Sequence, residues 1–170
     1  MSYRIQSPTI QKRNLKGLTL VELVIVISIV GILASIVSIS LGDQRTKKEL
    51  EANAREFASV LKEAQNYALT GKQAGSGVTC QFDVVWPTVS AYRIEAQAKS
   101  GDTCTGASTT IADYSLKQGV VFSTTSGVSF ALPWAESSSA TIQFDKLDIH
   151  HTVCLNASGA ITDHAGSGCP

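Results

Sequence analysis

Charge, aromatic side chains and methionine are all scarce in this chain, and neither sign of charge predominates. Charged residues make up 16% of its 170 residues, below the ~25% of ordinary soluble domains, and aromatic residues make up 6%. Basic and acidic residues number 14 each, so the formal net charge is zero. That balance excludes a globally basic nucleic-acid binder and a disordered acidic chain. Of the four prolines none lies between Leu18 and Thr70, so nothing there forces a helix break. No CxxC pair of the kind that holds structural zinc occurs, nor a glycine pattern for cradling nucleotide phosphates. Serine is abundant, so chance Ser/His/Asp combinations carry no information. No catalytic residue, metal site or cofactor is expected.

The zero net charge hides an asymmetry. Residues 1–17 carry Arg4, Lys12, Arg13 and Lys16 and no acid. Leu23–Leu41 then runs nineteen residues without charge or proline, which meets the ~18-residue threshold for a transmembrane helix. The run exceeds the apolar region of a secretory signal peptide, and no Ala-x-Ala site follows. The upstream basic residues place the N-terminus in the cytoplasm and the residues beyond Leu41 outside. A buried core helix is the competing reading, but no comparable apolar segment follows that could surround it.

Glu22 interrupts this pattern. A carboxylate inside a transmembrane helix costs roughly 2.5–3.5 kcal/mol. It is either an acid tolerated at the interface or a charge kept for a partner within the membrane. An ammonium about 4 Å away, at an effective dielectric near 20, would supply roughly 4 kcal/mol.

After Gly42 the chain turns charged, with a basic cluster at Arg45, Lys47 and Lys48 that reads as a solvated helix face. Apolar residues recur at Leu50, Ala54, Phe57, Leu61, Ala64 and Ala68, a helical stripe. Gly71 is a plausible stop. One helix from Leu18 to about Thr70 is expected, apolar all round in its first half and one-sided in its second. Residues 77–170 change to period two, beginning with Val78, Cys80, Phe82, Val84 and Trp86. A second strand is expected near Val89–Ala98. Weaker signals follow at Ile111–Leu116, Val120–Thr124, Val128–Leu132, Ala140–Phe144, Thr152–Leu155 and Ala160–Thr162. The class is therefore α+β, a long N-terminal helix packed on an antiparallel sheet.

Lys16-Gly17-Leu18-Thr19-Leu20-Val21-Glu22-Leu23 ahead of a long apolar helix resembles the leader of type IV prepilins and of type II secretion pseudopilins. The resemblance implies cleavage between Gly17 and Leu18 by a prepilin peptidase that also methylates the Leu18 amine. It implies assembly through Thr19 and Glu22, with Glu22 paired to the terminal amine of a neighbouring subunit. It gives Gly31 a helix-loosening role. Two departures are Leu18, where Phe is commonest, and the absence of a proline late in the apolar run. The implied partners are the peptidase, other pilin subunits, an inner-membrane assembly platform and, before assembly, the lipid bilayer. The implied organisation is a cleaved leader (1–17), an assembly helix (18–42), an amphipathic helix (43–71) and a β-rich head (72–170). The layout of the head is similar to minor pilins and H-type pseudopilins, the GspH/FimT group. A cell-surface or periplasmic filament is the implied destination.

Cys80, Cys104, Cys154 and Cys169 would lie in an oxidising compartment if the head is exported. Four cysteines allow three pairings. Cys80–Cys104 and Cys154–Cys169 are favoured because each closes a local loop. His150, His151 and His164 read as surface or loop residues, and strand neighbours such as His150 and His151 cannot share a ligand site. Asn156 and Asp163 offer too few oxygens for a calcium claim. Some minor pilins bind DNA through basic residues in the last hairpin. Residues 147–170 contain no Lys or Arg, so nucleic acid is not an expected partner. Trp86 and Trp134 read as core or loop anchors. Two other classes of function stay open: a membrane-anchored extracellular binding module that never polymerises, and a secreted hydrolase released near Ser40.

Overall fold

A computed structural model describes residues 19–170, without the side chains of residues 36–41. Helix α1 (Leu20–Thr70) is followed, among the described residues, by eight strands: β1 (Thr79–Trp86), β2 (Ala91–Ala98), β3 (Ser108–Ser115), β4 (Val121–Phe122), β5 (Ser126–Ala131), β6 (Ala140–Lys146), β7 (Ile149–Leu155) and β8 (Ile161–Ala165). The class is α+β, as the periodicities require. The chain divides into two compact units between Ser40 and Leu41.

In the first unit the large apolar side chains from Leu20 to Leu33 are all exposed. Ser28 and Ser35 turn their hydroxyls back onto the carbonyls of Val24 and Gly31, at 2.8 and 2.9 Å. Such back-bonding commits both of these hydroxyl protons within the helix. Among the described residues no helix is long and apolar enough to cross a membrane. The run read as a span, Leu23–Leu41, ends in residues 36–41, whose side chains lie outside the described residues.

In the second unit the predicted stripe is the core. Leu50, Ala54, Phe57, Leu61, Ala64 and Ala68 are all buried. The helix ends at Gly71, whose φ of 63° is the left-handed conformation glycine tolerates best. The Gly71 amide donates to Ala68 O and the Lys72 amide to Tyr67 O, at 3.3 and 3.1 Å. These two bonds close the last turn as a Schellman motif.

The strands form two antiparallel four-stranded sheets, ordered β3-β2-β1-β5 and β4-β6-β7-β8. The sequence periodicity located all eight strands but not this division. Their bounds differ by a few residues; β2 starts at Ala91 and β7 already at Ile149. The first sheet is closed by β5, which pairs with β1 although β2, β3 and β4 intervene in the chain. Phe57 joins the two sheets. Its ring lies 5.4 Å from Trp86 and 5.1 Å from Tyr92 of the first sheet, and 5.3 Å from Phe122 and 5.4 Å from Phe144 of the second. All four contacts are edge-on, the geometry aromatic quadrupoles favour.

Candidate functional site

Gly17 and Leu18, the expected cleavage pair, lie outside the described residues, as does the whole leader. The described chain opens at Thr19, and α1 starts at the next residue for a local reason. The Thr19 backbone amide and hydroxyl both donate to Glu22 Oε2, each at 3.1 Å. In return the Glu22 amide donates to Thr19 Oγ1 at 3.2 Å. This is a reciprocal capping box, with Thr19 as N-cap and Glu22 as the third helical residue. The carboxylate also sits at the positive end of the helix dipole. Thr-x-x-Glu is a readable signal for this arrangement, yet the sequence reading assigns the pair to assembly without the bonds between them. Glu22 Oε1 makes no hydrogen bond among the described residues.

Gly31 lies nine residues beyond Glu22, on the opposite side of the helix. A Cβ there would meet nothing within 4 Å, so packing inside the subunit does not demand glycine. Glu22 and Gly31 thus form no joint site.

In the head, Cys80 is bonded to Cys104 and Cys154 to Cys169, each with a Cα–Cα distance of 5.8 Å. The first ties β1 to the loop before β3. The second ties the tail after β8 to β7.

The histidines are separate. His150 Nδ1 is 2.7 Å from Asp145 Oδ1 and 3.2 Å from Gln143 Nε2. His164 Nε2 meets Thr162 Oγ1 at 3.1 Å. His151 corrects the expectation of a surface or loop residue: it lies inside β7, is 7% exposed, and pairs with Asp163 Oδ2 of β8 at 3.2 Å. Arg55 Nε lies 3.6 Å from the same oxygen. Burial opposes ionisation of Asp163, but the hydrogen bond from His151 and the Arg55 charge outweigh it and hold the carboxyl below its ordinary value. Asp145 behaves alike: burial is outweighed by hydrogen bonds from Ser123, Gln143 and His150. Ser123 Oγ donates to Asp145, and His150 contacts that same carboxylate. The acid lies between serine and histidine, which is not the order in which a histidine base activates a serine.

Asn156 Oδ1 accepts from the Ser158 amide at 3.1 Å, the Ser158 hydroxyl at 2.7 Å and the Ala160 amide at 2.8 Å. It is committed to the β7–β8 turn. Among the described residues no group of three or more His, Cys, Asp or Glu side chains could hold a metal ion. Trp86 is a core anchor, its Nε1 donating to Thr124 O at 2.8 Å. Trp134 is not: it is 76% exposed on the turn after β5. Arg45, Lys47 and Lys48 lie on the first head turns of α1, with Arg45 and Lys47 exposed and Lys48 also exposed.

Residues 12–38 match the family described as the prokaryotic N-terminal methylation motif. The chain is similar to type II secretion system protein H of Aeromonas hydrophila, 29% identical over 103 residues. That stretch covers 55% of this chain, and the chain spans only 56% of that relative. No solved structure matches.

Proposed function

We propose that this chain, a member of the type IV pilin and pseudopilin family, is a structural subunit that is trimmed after Gly17, methylated on Leu18 and built into a filament through α1. The observation that carries the reading is the Thr19–Glu22 capping box at the head of an exposed apolar helix, directly after the leader motif. The box uses one carboxylate oxygen, Oε2, and no hydrogen bond to Oε1 occurs among the described residues. A cation from a neighbour can therefore be taken without dismantling the cap. The terminal ammonium of a processed neighbour is such a cation. At about 4 Å and an effective dielectric near 20 it contributes roughly 4 kcal/mol, which offsets the roughly 2.5–3.5 kcal/mol cost of holding the carboxylate in lipid.

The precursor is held in the bilayer by the apolar run, with its N-terminus in the cytoplasm and its head outside. Prepilin peptidase then frees the amine, and the assembly platform moves the helix from lipid into a bundle of like helices. Similarity to a type II secretion protein H favours a minor, H-type pseudopilin in a secretion pseudopilus over a major pilus subunit. An anchored binding module that never polymerises would keep its first seventeen residues. Mass measurement of the N-terminus tests this. A methylated Leu18 start is expected in the wild type, and an intact precursor when Gly17 is replaced by a bulky residue. An uncut, functional wild-type chain would overturn the proposal.

A further inference from the structure

One end of the head carries its first α1 residues, 42–51, together with three chain reversals. Leu116 N–H donates to Ser90 O at 2.8 Å and Phe122 N–H to Val89 O at 2.7 Å, which brings the 87–90 and 117–119 turns together. Lys146 Nζ reaches Glu49 Oε2 of α1 at 2.6 Å and also donates to the Gln118 carbonyl, which adds the 146–149 turn. That last turn is a two-residue loop between the paired Lys146 and Ile149. Leu147 has φ 48° and Asp148 φ 59°, the left-handed conformations of a type I′ turn. Asn-Gly fits such a loop; a leucine does not.

Leu147 is also 77% exposed, the most exposed large apolar side chain of the head. Its backbone conformation is one that a leucine rarely adopts, and its side chain lies in solvent among the described residues. Asparagine or glycine would remove both. Val89, 48% exposed, lies on the same end. The five cations Arg45, Lys47, Lys48, Lys117 and Lys146 exceed by one the four acids Asp43, Glu49, Glu51 and Asp148 there. In the sequence the apolar run ends at Leu41, six residues before Lys47.

We propose that the Leu147 hairpin tip is a membrane-interface contact that seats the head on the bilayer before assembly. The leucine enters the headgroup–acyl boundary, and Arg45, Lys47 and Lys48 face the lipid phosphates. This rests on the membrane-anchored reading above. The excess of positive charge is small, so apolar insertion carries the contact and anionic lipid adds to it modestly. The seat would be given up when the subunit is extracted into a filament.

The test uses the full chain in vesicles of about three parts phosphatidylcholine to one part phosphatidylglycerol, with or without bromine on the acyl chains. Leu147→Trp places a fluorophore at the tip and Val89→Trp a second on the same end; the wild type supplies the Trp86 and Trp134 background. Near-ultraviolet circular dichroism checks that each variant is folded. For Leu147→Trp the expected result is an added blue-shifted emission, quenched about twofold or more by brominated lipid. Val89→Trp should show a smaller effect, and the wild-type background none. A chain that floats with the vesicles while the indole of Leu147→Trp emits as in water overturns the proposal and leaves the anchor standing. A chain that does not float removes the anchor, and the proposal with it. A blue shift found only in assembled filaments assigns Leu147 to a neighbouring copy and also overturns it.

Discussion

Glutamine at position 22 separates two roles that alanine would merge. Glu22 caps its own helix through Oε2, and Oε1 makes no hydrogen bond among the described residues. Glutamine at the third helical position serves a capping box as well as glutamate does, so Glu22→Gln keeps the cap and removes only the charge. Thr19→Ala does the reverse, and Glu22→Ala removes both. Losing a cap costs about 0.5–2 kcal/mol. Losing an ion pair about 4 Å apart at an effective dielectric near 20 costs roughly 4 kcal/mol, near a thousandfold in the equilibrium for joining a neighbour. The lone subunit moves the other way, because a neutral residue spares it roughly 2.5–3.5 kcal/mol in lipid. Glu22→Gln and Glu22→Ala should therefore accumulate in the membrane, processed but unassembled, while Thr19→Ala assembles with a lesser defect and Thr19→Ser assembles normally. The assay is the ratio of filament to membrane fractions, with N-terminal mass confirming equal processing. If Glu22→Gln assembles like the wild type, the charge has no part in assembly and the reasoning fails.

Other perturbations reach the head. Phe57→Ala empties the point where both sheets meet α1, and large aromatic truncations in cores cost about 3–5 kcal/mol. Thermal unfolding of the head should fall by on the order of 10 °C or more, and a shift of only a few degrees would show that the sheets do not depend on this ring. Replacing Cys154 and Cys169 by serine opens a loop of sequence separation 15, worth about 3 kcal/mol by chain entropy; denaturant titration should show that loss, with a slope no shallower than the parent's because the denatured chain is less constrained. Asp163 has a depressed folded pKa, so its contribution is complete above the ordinary carboxylate range and is lost as pH falls through the folded value. The melting temperature should accordingly drop in acid, and less steeply in Asp163→Asn than in the parent.

The helix was legible because its signals are local. No proline interrupts it, the buried stripe follows a period of three and four, and Gly71 stops it. The strands were legible for the same reason, since alternation is carried by each segment alone. The two-sheet division was not, because β5 finds β1 across the chain and nothing in either strand names the other. His151 is buried because its carboxylate partner arrives on β8, again from outside its own segment. The Leu147–Asp148 reversal lacked every usual turn pairing and could not be foreseen as left-handed. At the candidate site the motif announced Thr19 and Glu22. Their mutual bonding required only the Thr-x-x-Glu spacing, a local signal available but unread.

The serines of the apolar segment carry a consequence for how such rods line up. Ser28 and Ser35 spend their hydroxyl protons on their own backbone, so neither has a donor left for a passing helix. In the proposed assembly, contact along this described stretch would rest on side-chain packing, without hydrogen bonds donated by these two serines. In that assembly polar selectivity would fall to the ends, to an acid near the tip and a shaped head behind it.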